Sequence, residues 1–243
     1  MTAGLRARDV VFPRIAVIFW DKDGTLTDAR AYWMEVGRRR VAWLAERVPG
    51  IETQLNAILG LTVEGLNPQG LLAVGSRHET EVATAAGLAA VGYDWLTALA
   101  LVQEGFTTVA AQMVPQPLIP AARPLLEELA QRGVRQAILS ADTPAQVEAF
   151  VRHNRLEPLL AGYWGVRDGP NKPHPSLVTA ACTVLGVSPA QTLIIGDAPV
   201  DMIMARAAGT AGGVGVTWGL HPAARLHQAT VCVAHWGELV PLA

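Results

Sequence analysis

The stretch that most constrains this chain is IAVIFWDKDGTLTD, residues 15–28. Residues 15–20 have the length and β-branched content of a buried strand, and the apolar run stops abruptly at Asp21. Asp21 and Asp23 then stand two residues apart beside Gly24. A glycine takes backbone conformations that a side chain resists, so the chain can leave the strand sharply and hold both acids at its carboxyl end. That edge is where open α/β sheets place ligands. Two bare carboxylates at this range repel, so one of them holds a proton or a cation neutralises them. Both states suit phosphoryl transfer, in which a clamped carboxylate attacks phosphorus and a protonated neighbour gives its proton to the leaving oxygen. Taken alone, Asp-x-Asp-Gly fits a simple turn or a calcium loop as well as it fits this chemistry.

Three later segments break the tie. Ser140 ends the strand-like VRQAILS and is followed by Ala141, Lys172 lies in Asn-Lys-Pro-His-Pro, and Gly196-Asp197-Ala198-Pro199-Val200-Asp201 follows the strand-like TLII. Together with Asp21-Lys22-Asp23-Gly24-Thr25, these segments resemble, in order, the four signatures of the haloacid dehalogenase superfamily of phosphatases and phosphomutases. The resemblance runs from residue 15 to about residue 219. It implies a doubly wound, mainly parallel, Rossmann-like α/β core. It also implies that Asp21 is the nucleophile, Asp23 the acid and base, Ser140 a holder of a phosphoryl oxygen and Lys172 a balancing charge, with Gly24, Thr25 and Ala141 at the substrate.

By the same resemblance, Mg2+ is held by Asp21, Asp197 and the backbone carbonyl of Asp23, while Asp201 binds through water or orients Lys172. Residue chemistry is compatible with these roles. Oxygen donors suit Mg2+ better than a transition metal, and a compact ammonium can hold a carboxylate and a phosphoryl group together. Thr143-Pro144-Ala145-Gln146 has the form of a capped helix start, placing an anion-favouring amino terminus near Ser140. Outside the series, Ser140 reads as a turn residue, Lys172 as a loop charge and Asp201 as a first-turn acid favoured by the helix dipole.

Residues 29–113 carry almost no strand signal, and apolar residues recur at helical spacing, as in Trp33, Val36, Gly37, Val41 and Leu44. The Pro-rich VPQPLIPAARP, residues 114–124, ends this segment. The expected organisation is a core from residues 1–28 and 114–243, with residues 29–113 forming an α-helical cap inserted after the first motif. Within the insert, Val-Gly-Ser-Arg-His-Glu-Thr, residues 74–80, resembles the region with which β-phosphoglucomutase and its relatives reach their substrate, which would set Arg77 at the leaving group. Ser76 and Glu79 equally form a capping box opening a helix over 80–90. Trp33, Trp43 and Trp95 read as helix-packing residues. The insert holds no lysine, unlike phosphonoacetaldehyde hydrolases of this superfamily, and dehalogenases lack a second acid, so Asp23 points to phosphate ester chemistry.

The functional expectation is a Mg2+-dependent phosphatase acting on a small phosphorylated metabolite through an aspartyl-phosphate, resembling phosphoglycolate phosphatases. The alternatives are a β-phosphoglucomutase-like mutase, which uses the same motifs, and a non-catalytic binding protein on this fold. One departure stands out: the residue between the two acids is commonly apolar in the superfamily, and here it is Lys22. Its ammonium is expected either to face the cap and meet an anion or, more simply, to be solvated.

Composition narrows the remaining classes. Net charge is −2 without a long basic block, so no nucleic-acid surface is expected, and the Arg38-Arg39-Arg40 run reads as a solvated helix face. Residues 1–13 have no long apolar core, so neither a signal peptide nor a membrane span is expected there. Cys182 and Cys232 lie far apart without neighbouring ligands and read as buried thiols of a reducing compartment, which makes a cytoplasmic protein the expectation.

Overall fold

The amino-terminal residues form two short strands, β1 (Gly4–Ala7) and β2 (Val10–Phe12), which pair antiparallel. The structure, a computed structural model, describes residues 4–166 and 169–242. The apolar run that opens the first motif becomes β3 (Val17–Trp20), buried at all four positions. Five helices follow: α1 (Ala29–Ala45), α2 (Glu52–Leu59), α3 (Leu71–Val74), α4 (Arg77–Ala90) and α5 (Trp95–Gln112). Between α2 and α3 lies a hairpin of β4 (Leu61–Thr62) and β5 (Gly65–Leu66). The remainder alternates α6 (Ala122–Gln131), β6 (Arg135–Leu139), α7 (Pro144–His153), β7 (Gly162–Trp164), α8 (Ser176–Leu185), β8 (Thr192–Gly196), α9 (Pro199–Ala207) and β9 (Gly212–Val216). It closes with β10 (Val231–Val233) and β11 (Leu239–Leu242), the latter antiparallel to β1.

The chain divides into two compact units, one of Met1–Ala29 with Pro115–Ala243 and the other of Arg30–Val114. The first contains a six-stranded sheet in the order β10-β9-β8-β3-β6-β7, parallel throughout. A central parallel strand is covered on both faces, which explains why β3 shows an unbroken apolar run. Its side chains still alternate in destination. Ile18 and Trp20 join a core with Leu125, Leu126 and Leu129 of α6 and Val147 and Phe150 of α7. Val17 and Phe19 join the opposite core with Leu177 and Val178 of α8 and Met204 of α9. This is the doubly wound, Rossmann-like arrangement expected from sequence.

The small sheet β11-β1-β2 was not anticipated; its strands are three or four residues long, too short for a readable period, yet Leu5, Ala7, Phe12 and Leu239 complete the first core. Cys182 is buried as expected, whereas Cys232 is only partly so. Among the described residues, no helix is long and apolar enough to cross a membrane.

The second unit is helical around its own core of Leu44, Leu55, Leu59, Leu88, Val102 and Phe106. Three expectations fail here. The β4–β5 hairpin interrupts a segment read as purely helical, its strands being two residues each. Arg40 is not part of a solvated face: it is 2% exposed, with its guanidinium 4.0 Å from the centre of the Phe106 ring, so stacking on an aromatic face replaces water. Trp95 is exposed at the first position of α5 rather than packed, while Trp33 and Trp43 lie against the core.

A buried amide joins sheet to helix in the first unit. Gln136 Oε1 accepts from Trp20 Nε1 at 3.2 Å, and its Nε2 donates to the Leu126 carbonyl at 2.7 Å. Gln136→Leu leaves the indole N–H without its acceptor in a dry core. The expected loss is about 1–3 kcal/mol in the unfolding free energy, read from denaturant titration followed by tryptophan fluorescence.

Candidate active site

Register builds the site. Trp20 is opposite Ile138 on one side and Ile195 on the other, so the chain leaves β3, β6 and β8 at the same edge. Asp21 follows β3, Ser140 follows β6 and Asp197 follows β8. The backbone anchors each: Asp21 N–H donates to the Ile195 carbonyl at 2.8 Å, and Ser140 N–H to the Trp164 carbonyl at 3.0 Å. Beyond Asp21 the chain folds back on itself, with the N–H groups of Leu26 and Thr27 donating to the Lys22 carbonyl. Gly24 sits in this turn at φ +87°, and a Cβ there would lie 2.3 Å from Asp197 Oδ2, so both its conformation and its lack of side chain are required. Gly219 approaches Asp197 as closely from the segment after β9, where Leu220 N–H donates to Asp197 Oδ2 at 2.7 Å.

Lys172 reaches this edge from the loop before α8. Its ammonium lies 2.6 Å from Asp21 Oδ1 and 2.7 Å from Asp201 Oδ1, with the side chain 4% exposed. The other oxygen of Asp201 accepts from Ala198 N–H at the start of α9, so one carboxylate serves helix and lysine together. Burial works against the charged form of Lys172, but Asp201 and Asp21 outweigh it and hold its pKa above the ordinary lysine range. Burial raises Asp21 to about 6 despite the opposing charge of Lys172. Burial also raises Asp197 and Asp201, opposed by His221 and Lys172 respectively. Oxygens of Asp21, Asp197 and Asp201 lie within 4.8 Å of one another.

Three acids against one ammonium leave negative charge that burial makes costly, and the donors are all hard oxygens. The set fits a hard divalent cation such as Mg2+. The clustered carboxylates are those of Asp21, Asp197 and Asp201, while the side chain of Asp23 pairs with Lys22.

Asp23 faces a different environment. Its Oδ1 accepts from Lys22 Nζ at 2.6 Å and from Gln116 Nε2 at 2.5 Å. Burial raises its pKa to about 7, against the lowering effect of Lys22 and with a further rise from Asp142. Lys22 is therefore neither solvated nor outward-facing. It is 3% exposed, lies 2.9 Å from Asp142 Oδ2, and its ammonium sits 5.6 Å from the centre of the Phe150 ring. Asp142, which follows the Ser140 motif, supplies the second acid that a buried lysine beside Asp23 needs. Neither Asp142 nor Gln116, in the Pro-rich segment, carried a local sequence signal for this pairing.

The remaining predicted positions divide between the two units. Thr25 is fully buried, its Oγ1 has no hydrogen-bond partner among the described residues, and its carbonyl accepts from Trp218 Nε1 at 3.1 Å. Ala141 lies between Ser140, whose Oγ accepts from Asp142 N–H at 3.1 Å, and Asp142. His174 Nδ1 accepts from Ser176 N–H and so sits at the start of α8. Arg77 belongs to the helical unit, where it opens α4 behind the Ser76–Glu79 capping box. There its guanidinium pairs with Glu81 and lies 5.4 Å from the centre of the Phe106 ring.

The arrangement agrees with a family model, described as haloacid dehalogenase-like hydrolase, that matches residues 15–209. The chain belongs to that family. Among curated relatives, it is 41% identical over 71 residues to the probable phosphatase IndB of Dickeya dadantii, a match covering 28% of this chain and 30% of that protein. It is 32% identical over 103 residues to the phosphoglycolate phosphatase of Haemophilus influenzae, covering 42% of this chain and 46% of that one. The matched stretches thus span less than half the length of these relatives. The fold is shared more widely: a predicted phosphoglycolate phosphatase from Haemophilus somnus superposes with a TM-score of 0.66 at 19% identity, over 90% of this chain and 93% of that one.

Lys172 is the cation between Asp21 and Asp201, so Lys172→Met strands two buried acids. The expected cost is about 3–5 kcal/mol of unfolding free energy in chelator, with part recovered in the double variant Lys172→Met/Asp201→Asn. Equilibrium denaturation of the three proteins checks this.

Proposed function

We propose that this chain is a Mg2+-dependent phosphatase that hydrolyses a small phosphate monoester through an aspartyl-phosphate on Asp21. The observation that carries the reading is the separation of two neighbouring acids into different surroundings. Asp21 lies with Lys172 and the acid cluster, whereas Asp23 lies outside that cluster against Lys22 and Gln116. Paired carboxylates held in distinct environments are suited to distinct roles.

In the first step an oxygen of Asp21 attacks phosphorus, the bond from phosphorus to the leaving alcohol breaks, and Asp23 gives that alcohol a proton. In the second, Asp23 takes a proton from a water that attacks the acyl phosphate, releasing inorganic phosphate and restoring Asp21. Lys172 offsets charge as Asp21 and the phosphoryl group approach, and Asp201 holds that ammonium in place. Ser140 and Thr25 offer hydroxyls to phosphoryl oxygens, with Gly24 and Ala141 lining the same edge. When bound, Mg2+, held by Asp21, Asp197 and the Asp23 carbonyl with Asp201 beside them, supplies neutralising charge to the phosphoryl oxygens.

In this reading, the core is the first unit and the helical unit, Arg30–Val114, is the cap inserted after the first motif. The names of the relatives, a probable phosphatase and a phosphoglycolate phosphatase, support a small phosphorylated metabolite as substrate, with phosphoglycolate the first compound to try.

The test is phosphate release from a panel of alkyl, aryl and sugar phosphate monoesters, with Mg2+ and with chelator. Turnover is expected for at least one ester, to depend on Mg2+, and to fall on the order of 10³-fold or more in Asp21→Asn. Release undiminished in that variant sinks the mechanism. Isomerisation of a sugar phosphate without release would instead make the protein a mutase.

A further inference from the structure

Among the described residues, the two side-chain N–H donors that reach Asp23 converge on one oxygen. Lys22 Nζ and Gln116 Nε2 lie 2.6 Å and 2.5 Å from Oδ1. An oxygen that accepts two such donors has no direction left in which to carry a proton of its own, so a proton on this carboxyl rides on Oδ2. Each donor is itself fixed. The Lys22 ammonium is sealed from water and held from its far side by Asp142, which lies 2.9 Å away. Gln116 is tied through its backbone to the end of α7, where Asn154 Nδ2 donates to the Gln116 carbonyl at 2.9 Å and Asn154 Oδ1 accepts from Leu118 N–H at 2.7 Å.

A buried lysine is costly unless its charge is used, and a surface role is closed to this one. We propose that Lys22, held by Asp142, and Gln116 are positioning residues for Asp23, fixing the plane of its carboxyl and confining its transferable proton to Oδ2. The inference rests on the phosphatase reading above. In the step concerned, the proton passes from Asp23 Oδ2 to the leaving oxygen while the bond from that oxygen to phosphorus breaks and the bond from Asp21 to phosphorus forms. Neither Lys22 nor Gln116 exchanges a proton.

Such positioning has a signature that a structural role lacks. An alkoxide leaves poorly without a proton, whereas para-nitrophenolate leaves readily without one. The parameter to measure is kcat/KM, which ends with the first irreversible step and so reports leaving-group departure to Asp21. It is measured for an alkyl phosphate that the wild type turns over and for para-nitrophenyl phosphate.

Lys22→Met should lower kcat/KM for the alkyl ester by about 10²-fold, within the span of general acid catalysis, with a loss about tenfold smaller for the aryl ester. Gln116→Met should shift the ratio of the two in the same direction by less. Lys22→Met/Asp142→Asn removes the lysine without stranding Asp142, and it decides the matter if the single variant does not fold. Equal losses on both esters, or none, in the folded variants overturn the inference and leave the phosphatase reading standing. A wild type that releases phosphate from no ester of the panel overturns both.

Discussion

The register between β3 and its two neighbours is the constraint on which the site depends. Because Trp20 pairs with Ile138 and with Ile195, three separate segments of sequence end side by side, and each delivers its polar residue one or two positions later. A shift of one residue in β3 would turn Ile18 and Trp20 towards the helices that now cover Val17 and Phe19. Packing of the two cores therefore fixes the position of the acids. The chemistry is located by apolar residues that take no part in it.

Charge is arranged in two parallel units on this edge. Each lysine of the chain bridges two aspartates: Lys172 lies between Asp21 and Asp201, and Lys22 between Asp23 and Asp142. The two acids of the first motif thus have separate cations. Lys172 sits among clustered carboxylates that suit a divalent ion, while Lys22 sits with Gln116 and the Phe150 ring, so the same residue type supports two different electrostatic environments a few residues apart.

Much of this was legible in sequence because it lies where two kinds of signal coincide. β3, β6 and β8 are apolar runs that end in a polar residue, and both the run and its end can be read. The Ser76–Glu79 and Thr143–Gln146 capping boxes were readable because their partners are three residues apart. What sequence hid depends on partners distant along the chain. Lys22 is 120 positions from Asp142, a separation that follows from their numbering, and periodicity says nothing about such a pair. Arg40 looked like part of a basic surface run until Phe106 came to lie beneath it. The edges of the small sheet were missed because strands of three or four residues carry no period.

The confinement of both lysines has a consequence for the outside of the molecule. With Lys22 and Lys172 enclosed among aspartates, no lysine amine faces solvent, and positive side-chain charge at the surface is carried by arginine apart from any protonated histidine. Guanidinium stays protonated throughout the range in which proteins are handled, and it does not form the amides that lysine forms with acylating reagents. Acylating reagents therefore meet no side-chain amine at the surface. The two side-chain amines that could be modified are the ones that the fold keeps out of reach.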